Sequence, residues 1–450
     1  MKSSFNIQPM VGKFWQKSFS IHSGIFIGLF CSLFGIQTAQ AASFGFTKIA
    51  DTNNPLFSGF ASYQTGAINN KGNIAFHAFN SNSSTTEDAG IYTGDGKEIS
   101  TILNNDILAQ LYPNPYSTPD APSNPHPARY SIRGSVDIND QNTVAFSANV
   151  SFLGGYDNRQ FILMSENGEI KNVGGYSGDH RSSTILIDLD FNNQNSLVTH
   201  FITSSIRGLT DSIILYKNIG ENNQSSTIIA QGNYDNLYTG GIIGSRWTSL
   251  NNQGTLAFAS TYKDLSLPAP YQQISLTDEN SITEVMADID FEQVHLAIND
   301  HNEIVFASPI SNNQENGIFS LKNGAITNLV NYDGLFSQFE SVDINNHGLV
   351  AFGATLDTGT KGIFIGADPV ADKVITVGDS LFGSTITNLS FFGDKGLNDQ
   401  GQIAFYATLA DGTTGIFRAD PSKKSVPEPT SILSLLALGV WGLSSRRKSS

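Results

Sequence analysis

DINNHGLVAF, residues 343–352, is one of seven renderings of a single phrase, and its recurrence decides the fold. The others are AINNKGNIAF from Ala67, DINDQNTVAF from Asp137, DFNNQNSLVT from Asp190, SLNNQGTLAF from Ser249, AINDHNEIVF from Ala297 and GLNDQGQIAF from Gly396. The leading asparagines are Asn69, Asn139, Asn192, Asn251, Asn299, Asn345 and Asn398, spaced by 70, 53, 59, 48, 46 and 53 residues. A period of that size marks one supersecondary unit used repeatedly.

Asn-x-x-Gly predicts a tight turn, because Asn bonds its own local backbone and Gly accepts positive φ. In three copies the Gly is replaced by Asn142, Asn195 or Asn302, and Asn is the residue type that best tolerates the same left-handed conformation. A strand follows each turn. In the last copy Ile403, Phe405 and Ala407 share one face, and Ala404 and Tyr406 the other. Bulky Phe on one face and small Ala on the other suit sheets stacked face to face, large side chains nesting against small ones.

Downstream of most phrases a hairpin follows, as in GIYTGDGKEISTIL from Gly90, FILMSENGEIKNVG from Phe161 and GIFSLKNGAITNLV from Gly317. The Asn167-Gly168 and Asn323-Gly324 pairs between apolar runs are hairpin-turn signals. Each unit therefore supplies about four strands, as a propeller blade requires. The last unit stops at GIFRAD (415–420) without a partner strand, while FTKIADT (46–52) resembles the partner strand KVITVGDS from Lys373. The reading is an all-β, seven-bladed β-propeller closed by its two ends, with an open β-solenoid as the competitor.

Outside the repeats, residues 1–41 read as a signal peptide with a helical apolar core. Lys2, Lys13 and Lys17 precede an apolar run from Ile25 to Ile36, and Ala39 and Ala41 form the small-residue cut site, leaving Ala42 as the mature start. That run falls short of the ~20 residues that span a bilayer. Cys31 is the single cysteine and lies inside the signal, which removes disulfides, thiolate nucleophiles and thiolate metal sites from the mature chain. Without the signal, 22 basic residues face 40 acidic ones, a net charge of −18 that argues against nucleic acid and anionic lipid as partners.

The widest spacing holds LYPNPYSTPDAPSNPHPARY (111–130), with six of the fifteen prolines. Tyr112, Tyr116, His126, Arg129 and Tyr130 there are candidates for a ligand surface, against the alternative of a stiff connector. VGDSLF (377–382) looks like the nucleophile block of Gly-Asp-Ser-Leu hydrolases, but the late Asp-x-x-His that would supply a base is missing, so Ser380 is not assigned as a nucleophile. Asp137-x-Asn139-x-x-Asn142 and Asp343-x-Asn345-x-x-Gly348 have loop spacing for structural calcium, though the leading Asp becomes Ala, Ser or Gly in other copies and an Asx turn explains the same residues. The expectation is no catalytic, cofactor or metal residue.

At the C-terminus, Val426-Pro427-Glu428-Pro429, an apolar segment to Leu443, and Arg446-Arg447-Lys448 stand in order. As a helix the segment from Ser431 to Leu443 would extend only ~20 Å against ~30 Å of hydrocarbon, enough for temporary retention. Residues 426–450 resemble the PEP-CTERM sorting signal, which implies recognition by an exosortase in the inner membrane, removal of the tail and delivery outside the cell, often beside exopolysaccharide production. The middle resembles tandem Asn-x-x-Gly-x-x-Ala-Phe repeat proteins, with the third copy departing as Val198-Thr199. The organisation read is a signal peptide (1–41), a repeat domain (42–425) and a sorting segment (426–450). Signal peptidase and an exosortase are the expected processing partners. The expected role is non-enzymatic, in binding envelope glycan or a matrix protein or in assembling an exopolysaccharide or biofilm matrix; a propeller hydrolase with an unrecognised acidic site is the alternative.

Overall fold

The computed structural model describes residues 43–422, except 62–65, 82–88, 116–127, 133–134, 153–156, 180–181, 206–207, 222, 234–240, 268–270, 279–280, 288–294, 311–314 and 333–334. The signal and tail residues, Ala39, Ala41, Ala42, Pro427, Glu428, Pro429, Arg446, Arg447 and Lys448 among them, lie outside the described residues, as do both expected terminal helices.

Strand β1 (Phe44–Asp51) precedes the first blade and belongs to the last. Blade one is β2 (Phe57–Phe60), β3 (Gly66–Ile68), β4 (Ile74–Asn80), β5 (Ala89–Gly94) and β6 (Ile99–Leu103), with β2 and β3 as two pieces of the inner strand along β4. The short helix α1 (Asn105–Leu111) follows, capped by the Asn104 side chain, which accepts the Ile107 N–H at 2.9 Å. Blade two is β7 (Arg129–Ser131), β8 (Val136–Ile138), β9 (Val144–Phe152), β10 (Asp157–Glu166) and β11 (Glu169–Asp179), its inner strand again in two pieces. Blade three is β12 (Ser182–Phe191), β13 (Leu197–Ser205), β14 (Gly208–Lys217) and β15 (Ser225–Asn233). Blade four is β16 (Gly241–Leu250), β17 (Leu256–Lys263), β18 (Tyr271–Thr277) and β19 (Ile282–Ala287). Blade five is β20 (His295–Ile298), β21 (Ile304–Ile310), β22 (Glu315–Lys322) and β23 (Ala325–Asn331). Blade six is β24 (Phe336–Ile344), β25 (Val350–Leu356), β26 (Lys361–Phe364) and β27 (Lys373–Thr376). Blade seven joins β28 (Ser380–Leu381), β29 (Ser384–Phe391), β30 (Ile403–Leu409) and β31 (Thr414–Pro421) to β1.

The molecule is thus a seven-bladed β-propeller of antiparallel, essentially four-stranded blades. Its ends close the ring: β1 runs antiparallel to β31 from Phe44 opposite Pro421 to Asp51 opposite Gly415. Both asparagine hairpins form as read, with Asn167 and Asn323 at φ 51° and 52° and their glycines at 83° and 78°.

Among the described residues seven apolar clusters fill the seven blade-to-blade interfaces, and in six of them the alanine face of one blade meets the bulky face of the next. Ala75 of blade one packs with Phe146 of blade two, Ala257 and Ala259 of blade four with Phe306 and Phe319 of blade five, and Ala351 of blade six with Phe405 and Phe417 of blade seven. Ala404 and Tyr406 of blade seven then pack with Phe60 and Phe76 of blade one, which completes the circle. Full burial of one such side chain stabilises by about 1.5–3 kcal/mol, so the interfaces dominate the apolar contribution. In the divergent third unit, Val198 and Thr199 are fully buried and Val198 meets Leu256 and Phe258 of blade four, while Leu186, Leu197 and Phe201 supply the bulk facing blade two.

Candidate functional site in the central channel

The repeat turns point inward, where they make two concentric hydrogen-bonded rings. In all seven copies the first Asn folds its own turn: the Asn345 Oδ1, for example, accepts the N–H of His347 at 3.0 Å and of Leu349 at 2.9 Å. With Oδ1 committed locally, Nδ2 is free to reach the next blade. It donates to the neighbouring Asn carbonyl from Asn69, Asn192, Asn251, Asn299, Asn345 and Asn398, the last reaching Asn69 at 2.9 Å. The Asn139 Nδ2 instead donates to the Asn195 Oδ1 at 3.3 Å.

The second residue of each phrase is Asn70, Asp140, Asn193, Asn252, Asp300, Asn346 or Asp399. Its backbone N–H donates to the side-chain Oδ1 of its counterpart in the next blade, at 2.7–2.9 Å all the way around. A carboxylate has no donor, and around the ring each Asp is flanked by asparagines whose amides supply one; Asn346 donates to Asp300 and Asp399. The three asparagines standing for Gly do more than tolerate φ of 54–65°. The Oδ1 of Asn142 accepts from Asn69 at 2.8 Å and that of Asn302 from Asn251 at 2.9 Å, both across a blade boundary. Asn302→Gly is therefore expected to stay within about 1 kcal/mol of wild type, one hydrogen bond traded for relaxed backbone, whereas Asn302→Val should lose about 2 kcal/mol or more in urea titration.

Beneath the rings the channel is charged. Asp137, Asp190 and Asp343 stand two residues before their asparagines, on inner strands facing the axis. Asp137 accepts the N–H of Ile138 and, from blade three, of Phe191, both at 2.7 Å. Asp343 does the same with Ile344 at 2.7 Å and with Leu397 of blade seven at 2.9 Å. The Thr248 hydroxyl of blade four donates to Asp190 at 2.6 Å and to Asp188 at 3.1 Å. These oxygens, and the Asn139 Oδ1 that takes two N–H groups, serve as Asx-type and blade-bridging acceptors.

Lys395 lies at the centre of this layer. Its ammonium is 3.0 Å from Asp188 and 3.2 Å from Asp190, with side chains only 11, 13 and 5% exposed. Asp188, Asp190 and Asp394 have carboxylate oxygens within 4.8 Å of one another, a spacing whose repulsion a cation or protons relieve, and the Lys395 ammonium lies against two of them. Burial pushes the carboxyls of Asp343 and Asp394 well up. It raises Asp137 to about 7 and Asp190 to about 6 against the pull of Lys395. Burial also acts on Asp188, but Lys395 outweighs it and holds that group low. Lys395 itself is raised, because its acidic neighbours outweigh its desolvation. The space these groups and the rings line is about 150 Å³.

Other sequence candidates are placed elsewhere. Tyr112 stacks on Phe161 at 3.8 Å and Tyr130 donates to the Tyr112 carbonyl at 3.1 Å, so these two brace blade two, while Tyr116 and His126 lie outside the described residues. Ser380 is exposed at a strand end, and its neighbour Asp379 accepts from Thr376 and Lys373, a turn cap. Sequence reading missed Asp188, Asp190, Asp394 and Lys395 as a group. The available signal was Lys395 itself, a cation directly before the last phrase, but its partners are more than 200 positions away.

The sequence profile of a family of unknown function (DUF7453) matches residues 248–433, and a PEP-CTERM protein-sorting motif matches residues 425–448. That motif implies export to the cell envelope or surface and processing by an exosortase. No curated protein matches the chain. Among solved structures, a polysaccharide lyase, Uly1, is 10% identical with a TM-score of 0.46, covering 86% of this chain and 98% of its own. An oligogalacturonate lyase in complex with manganese is 11% identical with a TM-score of 0.44, over 85% and 97%. The β-propeller domain of the Trilobed protease from Pyrococcus furiosus is 9% identical with a TM-score of 0.33, over 67% and 97%. These are likenesses of fold alone. Among the described residues no helix is long and apolar enough to cross a membrane.

Proposed function

We propose that this chain is an exported propeller, displayed on or released from the cell surface, that binds envelope glycan or a matrix protein and does no chemistry. The observation that carries the reading is the channel. A space of about 150 Å³ falls short of the ~300–1,000 Å³ of ligand pockets. Its carboxylates are engaged by backbone N–H groups of neighbouring blades, by Thr248 and by Lys395, which suits a structural tie better than a substrate site. Binding then falls to the outer surfaces of the blades. The sorting motif supports an exopolysaccharide or biofilm setting.

The test is two-part. The purified exported chain is expected to bind members of a glycan array or a component of envelope extracts while leaving them uncleaved; failure on both sinks the binding role. Cells lacking exosortase, with a tag placed just after Ala42, should retain a larger, membrane-associated form, and an unchanged size and location would refute tail processing.

One observation favours a second reading. Environment drives Asp188 and Asp190 apart, one held ionised and the other raised to about 6, which is how acid and base carboxylates are separated in hydrolases. Glycan cleavage lost in Asp190→Asn with the fold intact would select that reading.

A further inference from the structure

Segment 394–397 touches more of the ring than any repeat turn does. Its Lys395 ammonium crosses the channel to Asp188 and Asp190 of blade three, a separation of 207 residues to Asp188. The Lys395 carbonyl accepts the Ile68 N–H of blade one at 2.9 Å. The Leu397 N–H is held by Asp343 of blade six. All three contacts come from blade seven, the blade completed by β1 when the ring closes.

We propose that segment 394–397 is a latch across the channel, in which Lys395 neutralises the carboxylates of the opposite blade, so that ring closure responds to the proton concentration outside the cell. Before blade seven docks, Asp188 and Asp190 lack their counter-ion. After docking, the charged groups facing Lys395 are Asp137 from β8, Asp188 and Asp190 from β12, Asp343 from β24 and the adjacent Asp394. Behind Asp188 on β13 is buried His200, whose Nε2 lies 3.5 Å from Asp211 of β14. One ammonium thus faces five carboxylates, and protons must supply the rest of the neutralisation.

The direction follows from linkage. Asp137, Asp190, Asp343 and Asp394 have carboxyls raised in the folded chain. The native state therefore binds more protons than the unfolded state; the stability these groups confer is complete below pH ~4 and is lost as pH rises through about 6 for Asp190 and about 7 for Asp137, with Asp343 and Asp394 acting in the same direction. Asp188 acts oppositely, with stability present above pH ~4 and lost below it. The Lys395 contribution stays in place until alkaline pH. Between pH 5 and 8 the raised acids decide the sign.

The experiment is thermal melting of the exported chain at pH 5 and pH 8, as wild type, Lys395→Arg, Lys395→Met and Lys395→Met with Asp190→Asn. Wild type is expected to melt at least about 5 °C higher at pH 5. Lys395→Met should lose several-fold more of its melting temperature at pH 8 than at pH 5, Lys395→Arg should restore most of it, and Asp190→Asn should recover part of the loss at pH 8. If Lys395→Met does not fold at pH 8, folding at pH 5 or in the double variant meets the expectation. Equal losses at both pH values, or no recovery in the double variant, would overturn the latch. Groups away from the latch are common to all four proteins and cancel in the comparison.

Discussion

A chain lacking β1, residues 44–51, is expected to lose cooperative unfolding altogether and to self-associate. The strand lies along the whole length of β31, with register from Phe44–Pro421 to Asp51–Gly415. Thr47 donates to Asp420 at 2.6 Å, and the Ser422 N–H reaches the Ser43 carbonyl at 2.8 Å. Ile49 and Ala50 are 4 and 3% exposed in the cluster that joins blade seven to blade one, and Phe46 sits edge-on to Phe405 at 6.2 Å. Its removal therefore uncovers a full strand edge on β31, a template for pairing with another chain, and opens an apolar interface at the same place. The loss exceeds what a domain with about 5–15 kcal/mol of total stability can absorb. Calorimetry and size-exclusion chromatography read the outcome. A circular permutant that attaches the same strand through a short linker after residue 422 should recover the melt, since the two ends are neighbours. A truncated chain that still melted sharply as a monomer would mean that β1 does not close the ring.

The second large effect belongs to a polar side chain. Asn398→Ala should destabilise the propeller by about 4 kcal/mol, from two local N–H groups left without their acceptor and one carbonyl across a blade boundary left without its donor. Asn398 is 3% exposed; its Oδ1 accepts from Gln400 at 3.1 Å and Gln402 at 2.9 Å, while its Nδ2 donates to the Asn69 carbonyl at 2.9 Å and to the Gln402 side chain at 2.8 Å. Asn398→Asp separates the two jobs, because a carboxylate keeps both local acceptances and loses the donation. If Asn398 served only its turn, Asp would be close to wild type in urea titration. The ring geometry calls for a substantial loss with Asp as well, since a negative oxygen would then face the Asn69 carbonyl.

Much of this architecture is legible in short stretches of chain. Asn345 and Gly348 specify a turn through contacts within five residues, and the alternation of Ile403, Phe405 and Ala407 with Ala404 and Tyr406 specifies which side meets which neighbour. Sevenfold spacing, the incomplete last unit and the unmatched first strand then give blade number and closure. The same local reasoning assigned no role to the second position of the phrase, and it read Asp137 and Asp343 as turn residues or calcium ligands. Nothing within a single repeat distinguishes those roles.

What the sequence by itself determined is every feature encoded by neighbours in the chain: the turns, the strands, the two-faced blades, their number and the C-terminal sorting motif. Tertiary structure alone decided that Asn70 through Asp399 join into a closed ring and that Lys395 meets Asp188 and Asp190 across the axis. The physical reason is distance along the chain. A turn is settled by atoms a few bonds apart, whereas a partner 207 or 329 residues away is fixed only when seven interfaces have each set their angle and the circle has shut.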